Sequence, residues 1–184
     1  MNAIEILINE HSLIRKFLEN LALADEKLQH GERPPREFYD KAVQFARTFA
    51  DLYHHFKEEQ TMFARLAQIK GGEIDDKIEM LRYQHDRGRN FVNEIANSLD
   101  GYEKGDPIKT KTLLENAADY ISLLRHHIHT EDHIFFPMAD NSMSEREKWD
   151  LLKEFDKVEN KTGKRTFETC HKLVADMGSL LVHM

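Results

Sequence analysis

The segment RHHIHTEDHIFFP, residues 125–137, sets four histidines and two acids directly before Ile134, Phe135, Phe136 and Pro137. A similar string, HHFKEEQTMF, occupies residues 54–63. Imidazole and carboxylate are mixed nitrogen and oxygen donors for a divalent cation, and histidine is the commonest metal-binding side chain. A histidine and a glutamate four residues apart lie one above the other on a helix, with β-carbons about 5–6 Å apart, so both reach one ion or two adjacent ions. Eleven histidines and 19 glutamates in 184 residues give about one such pair by chance. There are three here: His54/Glu58, His55/Glu59 and His127/Glu131. Two further histidines stand apart, His11 in NEHSLI and His85 in QHDRGR.

Long helices must position these groups. Glycine and proline cluster at HGERPPRE (30–37), KGG (70–72), DGYEKGDP (100–107) and Gly163, and the stretches between are of a length natural for bundle helices and too long for strands. Pro35 is expected to open the second helix within its first turn, Asp106 and Pro107 to cap and open the fourth, and Ser144 with Glu147 to form a capping box for a fifth. The fold class is therefore all-α. An up-down four-helix bundle is expected over residues 1–140, with one or two additional C-terminal helices in 141–184 packing on it.

The apolar stripes place the histidines inside. Ile4, Leu7, His11, Ile14, Leu18 and Leu21 alternate three and four apart, as do Ile74, Ile78, Leu81, His85, Gly88, Val92, Ile95 and Leu99. Leu113, Ala117, Tyr120, Leu124, His127, Glu131, Ile134 and Met138 form a third stripe, with Tyr120 read as core. His126, His129 and His133 fall outside it, on a solvated or outer face. A buried carboxylate costs several kcal/mol unless it is paired or bound to a cation. Three helices that each give a core position to imidazole, one of them adding a carboxylate, need a common partner, and a metal site supplies it.

The doublet at 54–59 admits two registers. Periodicity favours His55 and Glu59, which share a stripe with Phe45, Leu52, Met62 and Leu66, whereas Arg47 and Arg65 share that of His54 and Glu58. Aligning Met62-Phe63 with Phe135-Phe136 favours His54 and Glu58. The order His, HxxxE, His, HxxxE on successive helices resembles the hemerythrin-like (HHE cation-binding) domains over about residues 1–140. That resemblance assigns His11, His54, Glu58, His85, His127 and Glu131 as metal ligands, with His55 and Glu59 held as the alternative pair.

The resemblance implies two non-haem iron ions bridged by oxide or hydroxide, since two carboxylates offset only part of the charge of a diferrous pair. Oxygen-carrying hemerythrins have a second histidine four residues after the third-helix one, where this chain has Arg89. A six-ligand set leaves one ion open to a small molecule. The expected function is thus binding or sensing of oxygen, nitric oxide or peroxide, with a di-iron enzyme (peroxidase, nitric-oxide reduction, iron-centre repair) or a structural metal bundle as alternatives. Leu81, Leu124, Ile134 and Phe56 are expected to line a dry pocket at the metals.

Composition bounds the rest. A net charge of −7 argues against nucleic acid or an anionic membrane surface as partner. The apolar runs are short and the first twenty-five residues carry charges throughout, so a soluble, cytoplasmic protein, monomer or homodimer, is expected. The single cysteine, Cys170, has no intrachain disulfide partner and fits a reducing compartment. Trp149, Leu152 and Phe155, then Phe167, Cys170, Val174, Met177 and Leu181, mark two amphipathic tail helices expected to pack back on the bundle; His171 among them is read as surface or core.

Overall fold

The computed structural model describes residues 2–163 and 165–182, and among these it contains helices and no strand. Six helices follow in order: α1 (Ala3–Gln29), α2 (36–70), α3 (Asp75–Glu103), α4 (107–142), α5 (Glu145–Thr162) and α6 (Thr166–Val182). The caps explain where they begin. The Asn2 side chain accepts from the Glu5 N–H while Glu5 accepts from the Asn2 N–H at 2.8 Å, closing a capping box on α1. Pro35, expected inside the first turn of α2, is instead its extended N-cap, and the helix starts at Arg36. Asp106 caps α4 through the Ile108 and Lys109 N–H groups, with Pro107 in the first turn, and Ser144 and Glu147 form the capping box of α5. Gly71, left-handed at φ 55°, ends α2, a conformation glycine adopts without a steric penalty.

Helices α2 and α4 are not α-helical throughout. Ala46–His55, Glu58–Met62 and Glu131–Phe135 are π-helical, and the N–H groups of Phe56, Phe63 and Phe136 reach back five residues, to Asp51, Glu58 and Glu131. A π turn takes up one more residue than an α turn, so the helix face beyond it is shifted by one position. The α4 stripe therefore holds through Glu131 and then moves: Phe135 and Ala139 are buried, whereas Ile134 is 57% exposed. In the π segment Ala46–His55 of α2 the large buried residues are Phe49, Tyr53, His54 and His55, and Leu52, expected in the stripe, is 59% exposed. Pro137 accounts for part of the α4 widening, because it has no N–H to donate and its ring clashes with the carbonyl four residues back in a regular α-helix.

The interior is two apolar clusters with a polar layer between them. One gathers Leu13 to Leu28 of α1, Phe38 to Tyr53 of α2, Val92 to Tyr102 of α3 and Leu113 to Ile128 of α4. The other gathers Ala3 to Leu7, Met62 to Leu66, Ile74 to Leu81 and Phe135 to Met143. The gap falls at His11 on α1, at His54 and His55 on α2, at His85 on α3 and at Glu131, one turn beyond His127, on α4. The tail helices extend both clusters: Leu151 and Phe155 of α5 join the second, and Cys170, Val174, Met177 and Leu181 of α6 join the first. On α5 the buried face is Leu151, Phe155 and Val158, not the expected Trp149–Leu152 line. Trp149 is exposed and carries the Lys153 ammonium 3.1 Å above its ring. No helix among the described residues is long and apolar enough to cross a membrane.

Candidate metal centre

His11 of α1, His54 and Glu58 of α2, His85 of α3, and His127 and Glu131 of α4 all project into the polar layer, each essentially inaccessible to solvent. They fall into two donor groups that share Glu58: His11, His54, Glu58 and Glu131, and His55, Glu58, His85 and His127. Within each group the donor atoms lie inside 4.8 Å of one another. Each carboxylate stands between imidazoles of different groups. Glu131 Oε2 is 3.3 Å from His11 Nε2 and 3.1 Å from His127 Nε2, and the Glu58 oxygens are 3.4 Å from His54 Nε2 and 3.5 Å from His85 Nε2.

The choice between His54 and His55 posed by the sequence does not arise in the structure. Both rings are buried in the layer, because the π backbone of Ala46–His55 narrows the angle between neighbouring side chains. Glu59 is the member of the alternative pair that stays out of both groups. The expected pocket residues divide likewise: Leu81 and Leu124 are buried, but Ile134 and Phe56 point to solvent, the former because of the π turn at Glu131–Phe135. His126, His129 and His133 are on the exposed face, and Tyr120 is core, as expected.

Four imidazoles are held from behind in a closed ring of hydrogen bonds. His11 Nδ1 donates to Asp132 at 2.7 Å, His54 Nδ1 to Glu10 at 2.9 Å, His85 Nδ1 to Glu59 at 2.6 Å and His127 Nδ1 to Gln84 at 2.8 Å. Each acceptor is the chain neighbour of a centre residue on one helix and serves the imidazole of the next helix, so α1 braces α2, α2 braces α3, α3 braces α4 and α4 braces α1. Such partners fix the tautomer and direct Nε2 inward. The three carboxylate braces are each paired outward with a cation: Asp132 with Arg15, Glu10 with Lys57, and Glu59 with Arg89. Arg89, which stands where oxygen carriers have a histidine, also bonds Asp51 and Asp86 and belongs to this outer shell of charge. Gln84, the neutral brace, has no charge to balance. Sequence reading missed all four braces. The available signal was a polar neighbour beside each centre residue, in Glu10-His11, Glu58-Glu59, Gln84-His85 and Glu131-Asp132.

With the outer nitrogens satisfied, the inner atoms are left without partners. His11 Nε2, His54 Nε2 and all four oxygens of Glu58 and Glu131 are buried and make no hydrogen bond. His85 Nε2 and His127 Nε2 face each other at 3.0 Å with both Nδ1 protons committed elsewhere, so two lone pairs meet. Adjacent donors on an octahedral ion with bonds of about 2.1 Å are separated by about 3 Å, so a shared cation removes this repulsion. Burial pushes the Glu58 carboxyl well above the usual carboxylate range, and Glu131 and Glu10 add to the shift. Glu131 is equally buried, but His127 and His11 outweigh burial and hold it below that range. Burial drives His54 and His85 well below the ordinary imidazole value, which keeps them neutral and able to donate a lone pair. A donor set with orphaned oxygens, imidazoles braced to face inward and no thiolate fits one or more divalent cations.

A helical bundle that concentrates two overlapping His/Glu groups between two apolar clusters is built as a cation-binding protein. Residues 2–139 match the hemerythrin HHE cation-binding domain, and the chain belongs to that family. Uncharacterised proteins of Mycobacterium tuberculosis and Mycobacterium bovis are 29% identical over 178 residues, spanning 96% of this chain and 69% of theirs. The iron-sulfur cluster repair protein YtfE of Yersinia pestis is 28% identical over 147 residues, 75% of this chain and 65% of that protein. No solved structure matches the chain.

Proposed function

We propose that this protein is a non-haem di-iron protein that binds or senses a small oxidant or diatomic molecule, namely oxygen, nitric oxide or peroxide. The observation that carries this reading is the sharing of Glu58 and Glu131 between imidazoles of two donor groups, the arrangement expected of carboxylates that span an ion pair. His11, His54, Glu58, His85, His127 and Glu131 would hold the ions. Nitrogen and oxygen donors without thiolate suit iron, and family membership together with the iron-related name of the Yersinia relative supports that metal. Iron, when bound, supplies a redox-active centre with affinity for small ligands. The chain's own contribution is positional and electrostatic. The four braces fix the rings, the apolar clusters on both sides exclude water, and Glu58 and Glu131 neutralise part of the charge, with hydroxide or oxide completing the balance.

Elemental analysis with optical spectra before and after oxidation tests the reading. Two irons per chain and new absorption between the near ultraviolet and the visible are expected, with iron falling to one or fewer in Glu58→Ala. A single zinc with no optical change would overturn it. The name of the Yersinia relative favours a second reading, repair of iron-sulfur centres, which predicts that the iron-loaded protein restores activity to an oxidatively damaged iron-sulfur enzyme.

A further inference from the structure

His55 differs from the other four imidazoles in one respect: nothing braces it. Its Nδ1 is buried without a hydrogen-bond partner, and the nearest carboxylate oxygen, Asp51 Oδ1, is 3.7 Å away and already accepts from Arg89 Nε at 2.8 Å. The ring lies stacked on His85 at 3.8 Å between centroids, with one nitrogen in the donor group of Glu58, His85 and His127.

His55 also stands at the inner end of a cavity. A cleft of about 340 Å³ runs between α2 and α3. Its rim is exposed, with Arg47 donating to Asn93 at 3.0 Å, and its floor is the buried group His55, Gly88 and Tyr120. Gly88 leaves the floor open, since a β-carbon there would already touch the Tyr120 ring at 3.5 Å. A water molecule occupies about 30 Å³ of liquid, so the cleft admits a diatomic or triatomic molecule with room to spare.

We infer that His55 is an exchangeable donor to the centre, and that the cleft between α2 and α3 is the path by which a small neutral or singly anionic ligand arrives and takes its place. The inference rests on the di-iron reading above. A braced imidazole is held against displacement by its second hydrogen bond, whereas an unbraced one can turn aside toward Asp51 at the cost of its stacking on His85. Exchange needs no electron transfer: a lone pair of the incoming ligand replaces one of His55.

Azide binding to the oxidised iron-loaded protein, followed optically by titration and stopped flow, tests both parts. His55→Ala is expected to keep two irons per chain and to bind azide at least tenfold more tightly. Gly88→Leu is expected to keep its iron and to slow azide binding at least tenfold, with Gly88→Ala intermediate; circular dichroism checks that each variant is folded, and His55→Gln replaces His55→Ala if the latter is not. Loss of one iron in folded His55→Ala would make His55 a fixed ligand and overturn the exchange. Unchanged affinity in the His55 variant would also overturn it, and unchanged rates in the folded Gly88 variants would overturn the path. Absence of iron from the wild-type protein would instead remove the di-iron reading itself.

Discussion

At the scale of the residue, the centre is organised by what stands behind each imidazole. Three braces are carboxylates with outward cations, and the fourth, Gln84, is an amide. Hydrogen bonds to a charged acceptor are roughly twice as strong as neutral ones, and removing a partner behind a metal ligand typically costs about 10–100-fold in metal affinity. Asp132→Ala is therefore expected to weaken ferrous iron binding toward the upper end of that range, by freeing His11, and Gln84→Ala toward the lower end, by freeing His127. Competition with a chelator of known affinity measures both. Equal losses, or a larger one for Gln84→Ala, would mean that charge in the brace contributes nothing. These residues were illegible in the sequence for a physical reason. Glu10, Glu59 and Asp132 carry the residue types of an ordinary solvated helix face, and only the crossing of the helices reveals that each serves a ring on its neighbour. His11 and His85 were legible because they interrupt apolar stripes of unbroken α period.

At the scale of the element, the three π segments coincide with the donors. His54 and His55 end one, Glu58 begins the next and Glu131 begins the third. The same segments are where stripe reading failed: a period of 3.6 extended through them put Leu52 and Ile134 inside, and both are exposed. Helix existence, the order of the bundle and the caps at Asp106 and Ser144 followed from breakers and capping chemistry, which act locally. The phase of a helix beyond a π turn depends on packing against other helices and leaves no local mark except Pro137. Deleting the exposed Ile134 should convert Glu131–Phe135 to α-helix while returning Phe135 and Ala139 to the α stripe, so the second apolar cluster can still close. The expected outcome is a folded protein with unchanged helical circular dichroism and about half the iron or less, because Glu131 is no longer presented by the wider turn. Full iron content in the folded deletion would assign the π turn to the accommodation of Pro137 alone.

At the scale of the whole molecule, the two apolar clusters are joined through a layer that is unfavourable unless filled. Five imidazoles and two carboxylates sit there without solvent, and the orphaned oxygens of Glu58 and Glu131 keep their desolvation cost in the metal-free chain. Ions that bind only the folded state stabilise it by about 4 kcal/mol each when free metal is about a thousandfold above its dissociation constant. In a chain of this length 1 kcal/mol shifts the melting midpoint by about 2–4 °C, so ferrous iron should raise the midpoint by at least about 8–16 °C over chelator-treated protein. The metal-free chain should remain helical, since both apolar clusters and the packing of α5 and α6 persist without the ions. The contribution of its lowered imidazoles to stability should also fall as pH drops below about 6.5, the ordinary imidazole value. Burial holds His54, His55 and His85 below that value when folded, so at these sites the unfolded chain binds more protons and their contribution rises with pH through this window; His11, raised by Asp132 and Glu131 against burial, and the carboxyls of Glu58, Glu10 and Asp25, raised by burial, bind more protons when folded and work in the opposite direction. Calorimetry of iron-loaded and metal-free protein between pH 5 and 8 reads both effects. A midpoint indifferent to metal would mean that the layer is satisfied without ions, and the lone pairs of His85 and His127 meeting at 3.0 Å would then need a proton between them.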